Sequence, residues 1–114
     1  MKLVYITRAH LKATLQGLVT DEHINIALCR VPIYQNNEIF TWERKQAAEA
    51  LGIYYRRMAG ENWTKHRHSY SKNRNTQVFA KRAQEWLRRA ELVESIMLMW
   101  DKEGKQGEDH HTIV

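Results

Sequence analysis

Proline and cysteine are almost absent from this 114-residue chain, which has one of each, Pro32 and Cys29, and five glycines. A single cysteine excludes an internal disulfide, and its apolar neighbours predict a small buried side chain. Because proline and glycine interrupt helices and strands, their scarcity favours long regular elements. No apolar run approaches the length of a membrane span, so no membrane partner is expected. Nothing resembles a signal peptide, because MKLVYI is followed at once by Arg8 and His10. We therefore expect a cytoplasmic protein.

Recognisable catalytic chemistry is also missing. There is no glycine-rich phosphate loop, nucleophile elbow or carboxylate pair. His66 and His68 form an H-x-H pair and His110 adjoins His111, but neither pair has a cysteine or carboxylate at metal-site spacing. We expect no enzyme, no catalytic residue, no metal, no cofactor and no small-molecule substrate.

Positive charge, by contrast, is abundant and uneven. The net charge is +5. Between Arg56 and Arg89 there are ten Lys and Arg residues against two acids, Glu61 and Glu85, which gives +8 in that segment and −3 in the rest. A strongly basic segment on an otherwise near-neutral chain is typical of a polyanion-binding protein.

The basic segment begins inside an ordered pattern of small and apolar residues at 44–58. The pattern consists of Ala47, Ala48, Leu51, Gly52, Ile53 and Met58. The alanines and Leu51 are three and four apart and share one face of a helix. Gly52 follows, where a helix can end at positive φ, and Ile53 begins a second apolar pattern. These spacings predict two short helices joined at a glycine turn.

This stretch resembles the helix-turn-helix of prokaryotic DNA-binding proteins, with the pattern A-A-x-x-L-G-I-x-x-x-x-(L/M). The resemblance is to the superfamily, as in small prokaryotic or phage-type regulators, and implies a helix-turn-helix over about 41–60. An ordinary pair of core helices joined at a glycine is the alternative interpretation.

The resemblance also implies a recognition helix from Tyr54 to about Ala59, with Ile53 and Met58 inward. Tyr54, Tyr55, Arg56 and Arg57 would then face the DNA. Arginine matches the two acceptors of a guanine edge, and tyrosine can donate to a phosphate or pack on a sugar. The alternative is that one tyrosine is in the core and both arginines are solvated.

The following segment, 60–75, is polar and cationic. Lys65, Arg67, Lys72 and Arg74 are expected to contact phosphates. Trp63 and Tyr70 lie among them, a mixture that also suits RNA or single strands. The segment therefore predicts nucleic-acid binding more firmly than duplex DNA.

The N-terminal region is expected to be helical. Residues 1–6 form either a strand or a docked extension, and Thr7 can cap a first helix. Thr20 and two acids start a second helix, in which helix is favoured over strand for residues 24–31. Residues 34–37 read as a polar turn, after which Asn37 or Thr41 can cap the next helix.

The last element predicted is a long helix over about 76–102. Apolar residues recur in it at alternating spacings of four and three, namely Phe79, Ala83, Trp86, Ala90, Val93, Met97 and Trp100. This heptad seam, with a second stripe beside it, predicts a homodimer through Trp86, Val93, Met97 and Trp100. Lys81 and Arg82 lie on its early polar face, where they could follow a DNA backbone. Residues 104–114 are expected to be a flexible tail.

The sequence thus predicts a single all-α domain over residues 1–103. Its expected function is non-enzymatic binding of duplex DNA, as a homodimeric, sequence-specific transcriptional regulator. The alternatives are an RNA or single-strand binder that uses residues 60–75, and a protein-binding adaptor or inhibitor that docks through the C-terminal helix.

Overall fold

The computed structural model describes residues 3–71 and 77–113, and side chains within 3–68 and 77–103. In chain order the elements are β1 (Tyr5–Thr7), α1 (Arg8–Thr14), α2 (Asp21–Ala27), β2 (Tyr34–Asn36), β3 (Ile39–Glu43), α3 (Arg44–Ser71) and α4 (Gln77–Ile113). The two long helices, α3 and α4, pack against each other as a hairpin. The short elements gather at the end of the hairpin where α3 begins.

The all-α prediction is wrong, because residues 34–43 form a β-hairpin that pairs with β1. The sheet is antiparallel in the order β1-β3-β2. Tyr34 pairs with Thr41 and Asn36 with Ile39, around a two-residue turn in which Asn37 and Glu38 both have positive φ, at 50° and 68°. This is the backbone of a type I′ turn, which matches the twist of paired strands. The predicted polar turn and helix start are therefore a strand, a turn and a second strand.

Glu43 starts α3 instead of Asn37 or Thr41. Its buried carboxylate accepts from the backbone N–H groups of Lys45 and Gln46, at 3.2 and 2.8 Å. Two donors that a helix start leaves unpaired are satisfied in this way. The Arg44 N–H also donates to the Val4 carbonyl at 2.8 Å, so the first residue of α3 is held against the sheet.

The helix-turn-helix at Gly52 is also wrong, because α3 runs without a break from Arg44 to Ser71. Leu51 and Tyr55 are fully buried on either side of Gly52. A Cβ built on Gly52 would lie 3.8 Å from Val93 Cγ1, so the helix packs closely on α4 at this point. A glycine costs a helix interior about 1 kcal/mol, which is less than the burial of neighbouring large side chains contributes.

The heptad pattern of α4 is explained by packing within one chain. Ala90, Val93 and Trp100 are buried in the core with residues of α3 and the N-terminal elements. The helix extends to Ile113, so residues 104–113, expected as a flexible tail, continue the backbone of α4. No helix in the described part of the chain is long and apolar enough to cross a membrane.

The N-terminal helices begin where the sequence predicts. The Thr7 hydroxyl accepts from the His10 N–H at 3.1 Å, and the Thr20 hydroxyl accepts from the His23 N–H at 3.2 Å. The preference for helix after Thr20 is confirmed as far as Ala27. Cys29, expected to be buried, is exposed just beyond the end of α2.

Candidate nucleic-acid interface

The far end of the hairpin projects beyond the hydrophobic core. We name it the distal arm: residues 57–71 of α3 and 77–88 of α4. The buried members of the core end at Tyr55 on α3 and begin at Ala90 on α4. Within the arm, Ala59, Asn62 and Ala83 are the residues buried between the helices. The molecule is elongated, at 64 Å against 37 and 21 Å in the other directions.

Exposed cations are concentrated on this arm. They are Arg57, Lys65, Arg67, Lys81, Arg82 and Arg88. No carboxylate among the described residues forms an ion pair with any of the six. Residues 57–88 contain eight Lys and Arg against Glu61 and Glu85, so this segment has a charge of +6 in a chain whose total is +5. The positive potential of the molecule is therefore concentrated at one end.

Several cations closer to the body are paired within the chain. Lys45 and Asp101 lie 2.8 Å apart, and Lys12 and Asp21 lie 3.1 Å apart. The Arg44 guanidinium stacks 4.7 Å above the Trp100 ring. Among the described residues, exposed cations without an ion pair near the body are isolated ones such as Arg30 and Lys102, whereas the arm groups six of them.

Of the four residues predicted on a recognition helix, only Arg57 is exposed and has no ion-pair partner among the described residues. Tyr55 is fully buried, and Tyr54 is half-buried against the His23 and Trp86 rings. The Arg56 guanidinium donates two hydrogen bonds to the Glu94 carboxylate, at 2.9 and 2.7 Å. That pair lowers the pKa of the Glu94 carboxyl. The expected base-reading surface is therefore not assembled.

The residues predicted to contact phosphates are exposed wherever the structure describes them. Lys65 and Arg67 of α3 and Lys81 and Arg82 of α4 are all exposed on the distal arm. The packing of α3 against α4 gives one arm two groups of cations that are distant in sequence. Lys72 and Arg74 lie outside the described residues.

The predicted dimer seam is largely internal. Val93 is fully buried and Trp100 is 7% exposed, both within the core of one chain. Trp86 is half-buried against His23, Tyr54 and Tyr55. Met97 is half-buried beside a groove on the outer side of the hairpin. In this conformation Val93 and Trp100 are not available to a second copy.

A cluster around His23, not anticipated from the sequence, joins α2 to the base of the arm. His23 Nδ1 accepts from the Thr20 N–H at 3.4 Å and lies 3.0 Å from the Tyr55 hydroxyl. Because Nδ1 accepts from Thr20, the ring proton is assigned to Nε2 and the Tyr55 hydroxyl is a donor. Burial lowers the pKa of His23 and raises that of Tyr55, so both groups stay neutral. The feature of the sequence that could have indicated this cluster is a histidine at the third helical position after the Thr20 cap.

Arg89, the last cation counted in the basic segment, is engaged within the chain. Its Nε donates to the Leu18 carbonyl at 3.0 Å. Its guanidinium also lies 4.9 Å from the Trp86 ring centre. Arg89 therefore attaches the N-terminal elements to α4, and the free cations of the arm end at Arg88.

No arrangement of side chains suited to metal binding is found in the part of the chain that the structure describes. No group of three His, Cys, Asp or Glu side chains there could hold an ion.

No protein-family model matches the chain, and no curated protein and no solved structure is significantly similar to it. The resemblance of residues 44–58 to the helix-turn-helix superfamily is thus not supported by a longer match.

Proposed function

We propose that this chain is a non-enzymatic nucleic-acid-binding protein whose distal arm contacts the phosphate backbone of duplex DNA. The observation that supports this most is the set of six exposed cations, none of which has an ion pair among the described residues, on a projection that carries the net positive charge of the molecule. Releasing counterions from phosphates gives such a surface affinity for any polyanion of sufficient charge density.

The shape of the arm favours contact with phosphates over reading of bases. Two packed helices are about 20 Å across, whereas the major groove is about 12 Å wide. The hairpin as a whole is too wide to enter the groove. Lysines and arginines on its sides can reach the backbone strands that border it, which positions a protein without selecting a sequence.

The direct test is fluorescence anisotropy with a labelled duplex at several salt concentrations. With six available cations, the logarithm of affinity should fall against the logarithm of salt with a slope of up to about −5. The double variant Lys65→Gln with Arg82→Gln removes one charge from each helix of the arm. This double variant should make the slope of log affinity against log salt less negative by about two.

A matched control removes the same charge from outside the arm. Arg30→Gln with Lys102→Gln changes two exposed cations near the body and should leave the slope as in the wild type. No binding at low salt, or equal loss in both double variants, would contradict a site on the arm. Displacement of the duplex by structured RNA at lower concentration would assign the arm to RNA instead.

The cytoplasm is the compartment we propose, since the free thiol of Cys29 is exposed and would be kept reduced there.

Protein binding is a second candidate function, favoured by the exposed apolar side chains of the sheet region. Tyr34 and Ile39 are 45% and 54% exposed and lie on the same face of the sheet. Tyr5 packs edge-on against Tyr34 at 5.1 Å on that face, and exposed apolar patches of this kind mark interaction surfaces. Affinity capture from nuclease-treated lysate, with wild type and with Ile39→Ser, tests it. A protein partner that Ile39→Ser fails to retain supports this candidate, and equal capture by both contradicts it.

A further inference from the structure

The outer side of α3 carries an exposed ridge of three residues that are four apart, Glu49, Ile53 and Arg57. Successive members are one turn apart and about 40° apart around the helix, so the three lie on one side of it. Ile53, at the centre, is 62% exposed. An apolar side chain so open to water, with charges on both sides of it, is unusual in the interior of a long helix.

The two charges of the ridge are opposite in sign and equally far from Ile53, with Glu49 four residues before it and Arg57 four residues after it. A second α3 crossing in the antiparallel sense, with a two-fold axis at Ile53, therefore places Glu49 against Arg57 of the other copy at both ends of the contact. Such self-complementarity is what an isologous interface requires.

The apolar part of the surface is self-complementary as well. Beside Ile53 lies an open groove of about 430 Å³, lined by Glu49, Gly52, Ile53, Arg56, Glu94 and Met97. Gly52 has no side chain and so deepens the groove, and Met97 lines the groove with an apolar side chain. With the two-fold axis at Ile53, the two isoleucines meet at the axis and the groove of each copy lies beside them.

The two charged groups of the ridge are free for this contact. Among the described residues, Glu49 and Arg57 have no ion pair, although Lys45 and Glu61 are each one helical turn away. A Cβ built on Gly60, on the same side, would meet nothing within 4 Å. None of the N-terminal elements covers this side of the helix at that point.

We propose that the protein forms a two-fold homodimer through this ridge, with the two α3 helices antiparallel and Ile53 at the axis. If the function proposed above is right, the dimer directs its two arms to opposite sides. Their centres, near His66, would be about 40 Å apart at 1.5 Å per residue. That is close to the repeat of B-form DNA, about 34–36 Å. Arg57 then serves the interface and five exposed cations per arm remain for phosphates.

Charge reversal with complementation tests the interface, using sedimentation equilibrium without nucleic acid. Glu49→Arg opposes two arginines at each contact, and Arg57→Glu opposes two glutamates. Each variant alone should dimerise roughly tenfold more weakly than the wild type, since two surface pairs become repulsive. An equimolar mixture of the two should regain dimers, because the heterodimer restores both Glu–Arg contacts.

Two further variants complete the experiment. Ile53→Asp places a carboxylate at the axis and should give monomers. The matched controls Glu22→Arg and Arg30→Glu reverse exposed charges away from the ridge and should dimerise like the wild type. A wild type that is monomeric at every concentration, or a mixture no more associated than its components, would overturn the dimer. Because the mass is measured without DNA, a monomer that still binds duplex leaves the proposed function standing, and a dimer that does not bind removes only that function.

Discussion

Replacing Gly52 with alanine separates the continuous α3 from the helix-turn-helix predicted by the sequence. In a continuous helix, alanine is favoured over glycine by about 0.8–1 kcal/mol. The new Cβ would lie 3.8 Å from Val93 Cγ1, which is an ordinary van der Waals contact that requires no displacement of either residue. Gly52→Ala should therefore raise the free energy of unfolding by about 1 kcal/mol and the melting temperature by about 4 °C. Circular dichroism on heating, with urea titration for the free energy, measures both.

Alanine substitutions at two other glycines, Gly60 and Gly17, serve as controls for this prediction. Gly60 is exposed in the same helix and its Cβ would meet nothing within 4 Å, so Gly60→Ala should stabilise by a similar amount. Gly17 has a φ of +74° in the turn after α1, where a side chain is strained. Gly17→Ala should destabilise by about 1 kcal/mol. Stabilisation at Gly60 combined with destabilisation at Gly52 would refute the continuous helix, since it would give Gly52 the behaviour of a turn.

Three further predictions concern the core, the start of α3 and the histidine cluster. Leu51→Ala, at a fully buried position, should cost about 3 kcal/mol in urea unfolding, whereas a cost below about 1 kcal/mol would contradict its place in the core. Glu43→Ala should cost about 1 kcal/mol, because the N–H groups of Lys45 and Gln46 lose their acceptor, and Glu43→Gln should recover part of it. Burial holds the pKa of His23 below 6.5 in the folded state, so the unfolded chain binds that proton more readily. The stability that His23 contributes is complete above that value and is lost as pH falls through the folded pKa. The gap in unfolding free energy between wild type and His23→Gln should therefore shrink on acidification, and a gap that widens would contradict this assignment.

Features with a local cause were accessible from the sequence. Thr7 and Thr20 cap the helices they were expected to cap, because a hydroxyl at a helix start satisfies a nearby N–H whatever the surrounding fold. The apolar spacing from Ala83 to Trp100 correctly marked a long helix with one buried side. The basic segment needed only the order of residues to be noticed, although its grouping on two sides of a hairpin needed the fold.

Features that depend on distant contacts were not accessible. Gly52 looks like a stop signal when only α3 is considered, and it remains helical because Leu51 and Tyr55 are buried on both sides of it. Ile39 looks like part of a helix until β1 is seen to pair with the strand that contains it. Arg56 looks free until α4 brings Glu94, 38 residues away, within hydrogen-bond distance. In each case tertiary packing overrides a local preference.

A map of amide chemical-shift changes in isotopically labelled protein, recorded as an unlabelled duplex is added, shows directly whether the distal arm binds DNA. The largest shifts should occur in residues 60–68 and 77–88 and disappear at high salt, while residues 5–43 stay unchanged. Shifts confined to the sheet and the N-terminal helices, with the distal arm unaffected, would contradict binding through the arm.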